Sequence, residues 1–412
     1  MLEKLLPPPV NGSAIFVDMN SFFASVEQQL HPELRGRPVG VCPFIHDATC
    51  LIAASVEAKR YGVGTGTRIP EARRLCPGIV LLANQADNYR RFHRQIMDAL
   101  DTTRCRVIVR SIDEAYLKVP RDLMPNAVQL ADSIKTMIRG IGSELACSAG
   151  VAPNLFLAKL ATNLHKPDGL LEITLDDLEG LYACLGLREL PGISWRMERR
   201  LRLLGIDSPL QLYQAPFGLL RRSLGVWGEA WYLRLRGYEV DTRPTQRRMI
   251  GHQSTIHPQP ASTRSELMAT ASQLCYKIAT RLQRAGLAAR TVSIVWRYSN
   301  HSYGQALYRS RTPFFDFGSL WHHAEQLLPR VLDHPVRFVS VSSFDLIPIS
   351  TMTENLWSRP FTREQLSRTT DTINRKFGLG TIFPAQSLIG QPISDQVGFG
   401  NAPQAAIELA PK

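Results

Sequence analysis

The amino-acid sequence predicts an α+β protein built of several domains, and three observations carry that prediction. The chain has 412 residues, too many for one ordinary hydrophobic core and enough for roughly two to four domains of ~100–200 residues. Apolar periodicity switches between strand-like and helix-like spacing as far as residue 170, is helical from 171 to 240, and then runs strand, helix, strand, strand, helix, strand to residue 345. Charge is unevenly placed: residues 1–185 hold 20 basic and 20 acidic side chains, whereas 186–248 hold 12 Arg and no Lys against 6 acids, and 249–330 hold 9 basic against 3 acidic. The formal excess of +12 therefore lies in one central block.

The elements follow in order. Ala14-Ile15-Phe16-Val17 is a short buried strand, with Ser21 or Asn20 placed to cap a helix running to about Leu30. Pro32 and Pro38 open a small segment, 32–89, rich in Gly and short apolar runs. A helix is expected over Tyr89–Leu100, and Arg106–Val119 alternates as strand, turn, strand. Residues 126–141 set Val128, Leu130, Ile134, Met137, Ile138 and Ile141 on one helical side. Cys147–Ala152 is a strand, Asn154 caps a helix with the stripe Leu157, Leu160, Ala161 and Leu164, and Lys166-Pro167-Asp168-Gly169 turns the chain.

Helical fragments fill 171–240. Within them Leu190-Pro191-Gly192-Ile193-Ser194 and, one helix later, Leu204-Gly205-Ile206 have the look of a helix-hairpin-helix, with Ser194 where a second glycine is more usual. Such a hairpin offers backbone N–H groups at a helix N-terminus and suits a phosphate without reading bases. From 249 the order is strand (to 256), helix (264–284, closed by Gly286), strands at 291–298 and 304–310, helix at 319–333, and strand at 336–345. That βαββαβ order predicts a split βαβ, ferredoxin-like sandwich. Arg290, Arg297, Arg309 and Arg311 lie on or beside its middle strands, as a backbone-tracking face would require. From Ser350 the chain is polar, with one amphipathic stretch at 363–377.

Composition narrows the function classes. The 44% apolar content is that of a globular protein. No apolar run approaches the ~18–20 residues of a membrane span, and the start lacks a signal-peptide core, so a cytoplasmic protein with no membrane partner is expected. Seven cysteines form no CxxC pair and ten histidines no HExxH, which argues against structural zinc or a disulfide framework. The Arg-only excess favours bidentate phosphate recognition, so a polyanion, foremost nucleic acid, is the expected partner of 186–330.

Two acidic sites carry chemistry. Asp18 ends a buried strand, and Asp113-Glu114 stands at a strand-turn junction among apolar residues. Read alone, each admits a cap or surface role. Together, three hard oxygen ligands at the ends of neighbouring strands could hold two Mg²⁺ ions for an in-line displacement at phosphorus.

The segments Val17-Asp18-Met19-Asn20-Ser21-Phe22-Phe23-Ala24-Ser25-Val26-Glu27 and Ser111-Ile112-Asp113-Glu114-Ala115-Tyr116-Leu117 resemble the two signatures of Y-family (DinB/UmuC-like) translesion DNA polymerases. The resemblance continues through Ala53–Val63, Gly150–Asn154 and Lys166–Gly169 into the hairpin and Ile250-Gly251-His252, covering about 15–345. It implies a right hand: a ferredoxin-like palm (1–31 and 90–170), small fingers (32–89), a helix-hairpin-helix thumb (171–243), a βαββαβ little finger (244–349) and a tail (350–412). It implies Asp18, Asp113 and Glu114 as catalytic ligands of two Mg²⁺ ions, Mn²⁺ being able to substitute, with the Met19 carbonyl as a further ligand. Phe23 aligns with a steric gate beneath the sugar, beside Phe22, and Lys59 and Lys166 would approach the triphosphate. Gly192, Ser194 and the four little-finger arginines would contact DNA. Primer-template DNA, dNTPs and a sliding clamp are the implied partners, with Gln386-Ser387-Leu388-Ile389 and Gln396-Val397-Gly398-Phe399 as candidate clamp peptides.

This chain departs from the pattern in places. Val56 and Lys59 stand where the family usually sets Tyr and Arg to clamp the triphosphate, Ala53 where a hydroxyl residue is common, Leu155 where Lys is common, and Lys118 where an acid often follows. Val donates no hydrogen bond and Lys forms no bidentate fork, so weaker nucleotide binding is expected. The leading reading is a low-fidelity, SOS-type DNA-directed DNA polymerase (a nucleotidyltransferase) acting in damage repair and mutagenesis. The alternative is a catalytically weak or inactive polymerase-like accessory protein that binds DNA and recruits other bypass factors. A cyclase or nuclease with a similar palm suits the carboxylates but not the hairpin and βαββαβ segments.

Overall fold

The computed structural model describes residues 6–242, 248–256, 259–352, 360–377, 381–383 and 385. The chain divides into two compact units, parting between Arg243 and Pro244.

The first unit is organised about β1 (Ala14–Met19), all six residues of which are buried. Helix α1 (Phe22–Leu30) follows, then a small sheet of β2 (Val39–Cys42), β3 (Ala53–Ala54) and β4 (Val80–Ala83) in the order β3-β2-β4, with α2 (Val56–Arg60) and α3 (Ile69–Leu75). Cys42, Leu51, Ala54, Ala58, Val63, Ile69, Ala72 and Cys76 give that segment its own core. The chain returns through α4 (Ala86–Asp101), β5 (Arg106–Val109), β6 (Glu114–Lys118), α5 (Ala127–Ile141), β7 (Cys147–Ala152), α6 (Leu155–Leu164) and β8 (Leu170–Glu172). The large sheet has the order β5-β6-β1-β7-β8, with β1 antiparallel to both neighbours. Taken with α4 and α5, the first four of these strands form the ferredoxin-like arrangement that the resemblance implied.

Strand periodicity explains why β1 has no polar side until its end. Ile15, Val17 and Met19 face one core with α1, α4 and α5, while Ala14 and Phe16 face another with α6 and the helices that follow. Those helices are α7 (Leu178–Cys184), α8 (Trp195–Arg202), α9 (Pro209–Gln214), α10 (Phe217–Leu224) and α11 (Val226–Arg234). Glu239 ties this helical part to the sheet: its carboxylate accepts the Tyr116 hydroxyl at 3.2 Å and the Leu155 N–H at 2.9 Å. Asn154 caps α6 through the Leu157 N–H at 2.8 Å and donates to the Arg234 and Tyr238 carbonyls.

The second unit contains β9 (Met249–Thr255), α12 (Arg264–Arg284), β10 (Leu287–Tyr298), β11 (Tyr303–Phe314), α13 (Phe317–Leu327), β12 (Val336–Phe344), β13 (Ile347–Pro348) and α14 (Pro360–Phe377). The βαββαβ order holds, and both crossovers are split, but the sheet runs β11-β10-β12-β9. The inner pair is thus the second and fourth strands of the motif, where a ferredoxin sheet puts its first and third. The apolar residues account for it: Val292, Ile294, Val339 and Val341 are fully buried, while β9 buries one residue of seven and β11 two of twelve.

Three expectations need correction. Ser21 occupies the N-cap of α1 in the left-handed region (φ 51) and makes no side-chain cap, its hydroxyl having no partner. Asn20, the other capping candidate, spends its amide elsewhere, on Ser148 and on the Asp168 N–H. Helix α13 ends at Leu327, not at 333, because Pro329 disfavours helical backbone at Leu328. Strand β8 pairs parallel with β7 in a stretch where only helices were expected.

Candidate active site

The register of β1 on β6 builds the site. Asp18 pairs directly with Glu114, and Phe16 with Tyr116, so all four side chains leave the same face of the sheet, the face covered by α6. Asp113 stands in the turn before β6, and its carbonyl accepts the Met19 N–H at 2.9 Å, locking that turn to the end of β1. His93 of α4 holds the turn from beneath, a ring nitrogen 2.7 Å from the Ile112 carbonyl.

Asp18 is 5% exposed, and a buried carboxylate requires a partner. It has two: Lys159 Nζ at 2.5 Å and Lys166 Nζ at 2.8 Å, both on Oδ2. Lys159 also lies 2.5 Å from Glu114 Oε1. The Asp113 carboxylate is bonded by the Ser111 hydroxyl. Burial raises the Asp113 pKa above the usual carboxylate value, aided by Asp18 and opposed by Ser111. Burial raises that of Glu114 as well, against the pull of Lys159. For Lys159, burial pushes downward, but Asp18 and Glu114 outweigh it and the ammonium is held above its ordinary pKa.

The donor set suits a hard divalent cation. Two carboxylates already converge on one positive charge, and a third is electrostatically coupled to Asp18 across the turn. Among the described residues no three ligating side chains stand in a finished cluster, since Lys159 fills the point of convergence and Ser111 holds Asp113.

Beside the carboxylates lies a cationic loop. Lys166 is carried by the turn 165–169, and three residues pin that turn. Asn20 Oδ1 accepts the Asp168 N–H at 2.7 Å, Lys135 donates to the Asp168 and Gly169 carbonyls, and Arg139 pairs with the Asp168 carboxylate. Lys59, at the end of α2, feels both Lys166 and Asp18. Desolvation of its ammonium, then Lys166, lower its pKa even though the residue as a whole is exposed. Val56, in the same helix, presents no donor.

Phe22 and Phe23 are both buried, at 3% and 7% exposure. Phe23 stacks on Tyr89 with ring centroids 4.4 Å apart, and the Tyr89 hydroxyl donates to Glu27 Oε1 at 2.6 Å. In the hairpin, Leu190, Ile193, Leu201 and Ile206 are buried, Gly192 has φ 91, and exposed Ser194 precedes the first turn of α8 without a side-chain cap. Within the second unit, strand register places Arg297 opposite Tyr303 and Arg309 opposite Thr291, on the sheet face away from the helices. Arg311 is exposed two residues further along β11, and Arg290 sits at the bulge between Ala289 and Thr291. The two candidate clamp peptides lie outside the described residues.

Reasoning from sequence passed over Lys159, Lys135 and His93. The sequence shows each as a basic or titratable side chain within a helix, but not what that side chain meets.

Comparison with known proteins bears on the family and the fold. The impB/mucB/samB family model matches residues 17–163, and the impB/mucB/samB family C-terminal domain model matches 247–356. The chain is 36% identical to DNA polymerase IV of Moorella thermoacetica, over 92% of this chain and 96% of that one. It is 34% identical to DNA polymerase IV of Pelotomaculum thermopropionicum, over 91% and 95%. Among solved structures, a Y-family DNA polymerase chimera of Dbh and Dpo4 superposes with a TM-score of 0.71 at 25% identity, covering 81% of this chain and 99% of that chain. An insertion ternary complex of Dbh DNA polymerase gives 0.56, also at 25% identity and with the same coverage. With both family models matched and full-length relatives above 30% identity, the chain belongs to the impB/mucB/samB family, as a DinB-like member of the Y-family polymerases.

Proposed function

We infer that this chain is a template-directed, low-fidelity DNA polymerase of the translesion type, which extends a primer 3′-OH on the α-phosphorus of a dNTP and releases pyrophosphate. The observation that carries the reading is the in-register pair Asp18 and Glu114, with Asp113 in the adjoining turn, converging on a cation at the end of the central strand.

Divalent metal dependence follows from the family. Mg²⁺ is our assignment, with Mn²⁺ as a substitute, and the bound ions would lower the pKa of the attacking hydroxyl and neutralise charge at phosphorus. Asp18, Asp113 and Glu114, with the Met19 carbonyl, would hold them. Lys59, Lys166 and the first-turn N–H groups of α1, which no side chain caps, would take the triphosphate oxygens. The Phe23 ring, flanked by Phe22, would exclude a ribose 2′-OH. The hairpin at Gly192–Ser194 and the open sheet face with Arg290, Arg297, Arg309 and Arg311 would follow the DNA backbone. In this assignment palm, fingers, thumb and little finger are 1–31 with 90–170, 32–89, 171–243 and 244–349. A cytoplasmic location accords with the absence, among the described residues, of any helix long and apolar enough to cross a membrane.

The test is metal-dependent extension of a primed template by the wild type and by Asp113→Ala/Glu114→Ala. Extension by the wild type alone is expected. Silence from both with DNA binding retained would favour the accessory-protein reading, and would make Val56, Lys59 and Leu155 signs of lost catalysis. A sliding clamp is proposed as partner through the peptides at 386–389 or 396–399; clamp-stimulated synthesis surviving truncation after Phe383 would remove both.

A further inference from the structure

Lys159 has a built seat. Its ammonium lies 2.5 Å from Asp18 Oδ2, 2.5 Å from Glu114 Oε1 and 4.8 Å from the centroid of the Phe16 ring. All three partners leave one face of the sheet, as the pairing of Asp18 with Glu114 and the two-residue step from Phe16 to Asp18 require. Helix α6 is brought down onto that face by Gly150: a Cβ there would stand 2.1 Å from the Ala158 carbonyl. The lysine that follows Ala158 is thereby committed to the carboxylates, and its side chain is only 20% exposed.

A divalent ion the size of Mg²⁺ sits about 2.1 Å from its oxygens. An ammonium touching both Asp18 and Glu114 takes the space such an ion needs to touch both, and two cations cannot share it against their mutual repulsion. We propose that Lys159 is the resident counter-cation of the metal site: it holds Asp18 and Glu114 convergent before loading, and it must leave its seat before a divalent ion can be held there. Lys159 is thus a positioning residue that sets how tightly the site takes metal. The proposal rests on Asp18 and Glu114 being the metal ligands.

The test is Mn²⁺ binding to the chelator-stripped full-length chain without DNA, read from the electron paramagnetic resonance signal of the free ion. Lys159→Met is expected to bind Mn²⁺ at least about tenfold more tightly than the wild type, because displacement of a unit charge no longer opposes binding. Its melting temperature without metal is expected to fall and to be restored by Mn²⁺ more fully than that of the wild type. Lys159→Arg, which keeps the charge, is expected to stay within a few-fold of the wild-type affinity. Unchanged or weaker binding by Lys159→Met overturns the proposal. Wild-type affinity in Asp18→Asn and Glu114→Gln would instead overturn the ligand assignment, a separate failure. Should Lys159→Met not fold, the side-chain ¹⁵N resonance of Lys159 in the wild type decides: it must shift on Mg²⁺ addition, and a fixed resonance overturns the proposal.

Discussion

Phe23 is held in place by a short relay. Its ring lies on Tyr89, whose hydroxyl is anchored on Glu27, and so the aromatic wall proposed under the sugar has a rigid backing. Phe23→Val is expected to raise ribonucleotide incorporation by about tenfold or more while deoxynucleotide use continues, measured by single-nucleotide insertion; unchanged sugar selectivity would remove Phe23 as the gate. The anchor itself has a signed pH dependence. Burial raises the Glu27 pKa above the usual carboxylate value, opposed by the Tyr89 hydroxyl and by His31. A raised carboxylate contributes stability below its unfolded pKa and loses it as pH rises through the folded value. Glu27→Gln keeps an acceptor for Tyr89 without the charge, so its melting temperature relative to wild type should rise between pH 5 and pH 8; a constant difference would refute the assignment. At this scale the acidic candidates were legible through the two signature segments that contain them, since a carboxylate at a strand end, taken alone, admits a cap or surface role. Lys159 was not, because the sequence shows its helix but not the face that the helix presents to Asp18.

At the scale of elements, the approach of α6 to β7 is decisive. Gly150→Ala would force the Ala158 backbone away, and with it the lysine seat. A destabilisation of about 1–3 kcal/mol is expected from such overpacking, visible as a lower melting temperature; a silent substitution would mean that α6 can slide freely. Most elements could be read from the sequence because periodicity and caps agreed, as with Asn154 at α6 and the capping box of Thr263 and Glu266 at α12. Failures came where another demand took the residue. Asn20 was spent on the turn carrying Lys166, leaving α1 uncapped, and the choice of inner strands in the second unit was settled by burial of Val292, Ile294, Val339 and Val341, which strand order does not reveal.

For the whole molecule, the basic block from 186 to 330 is the proposed source of affinity for DNA. With about six phosphates neutralised, binding should weaken by about three decades between 50 and 200 mM salt, a slope measurable by fluorescence anisotropy. A flat response would contradict the assigned DNA surfaces. Family and chemistry were legible at this scale because the signature segments carry them locally, while the departures at Val56 and Lys59 are visible only as missing donors.

The topology of the large sheet also bears on how the chain is made. β1 ends at Met19, yet its two partners are β6, from Glu114, and β7, to Ala152. At a synthesis rate of ~5–20 residues per second, the future centre of the sheet waits about 5–30 s after leaving the ribosome before both neighbours exist. Through that interval the apolar strand Ala14-Ile15-Phe16-Val17 lacks at least one of its two partners and is open to chaperones and to other nascent copies. Ribosome stalling before Ala152 would therefore release an aggregation-prone fragment rather than a shortened enzyme.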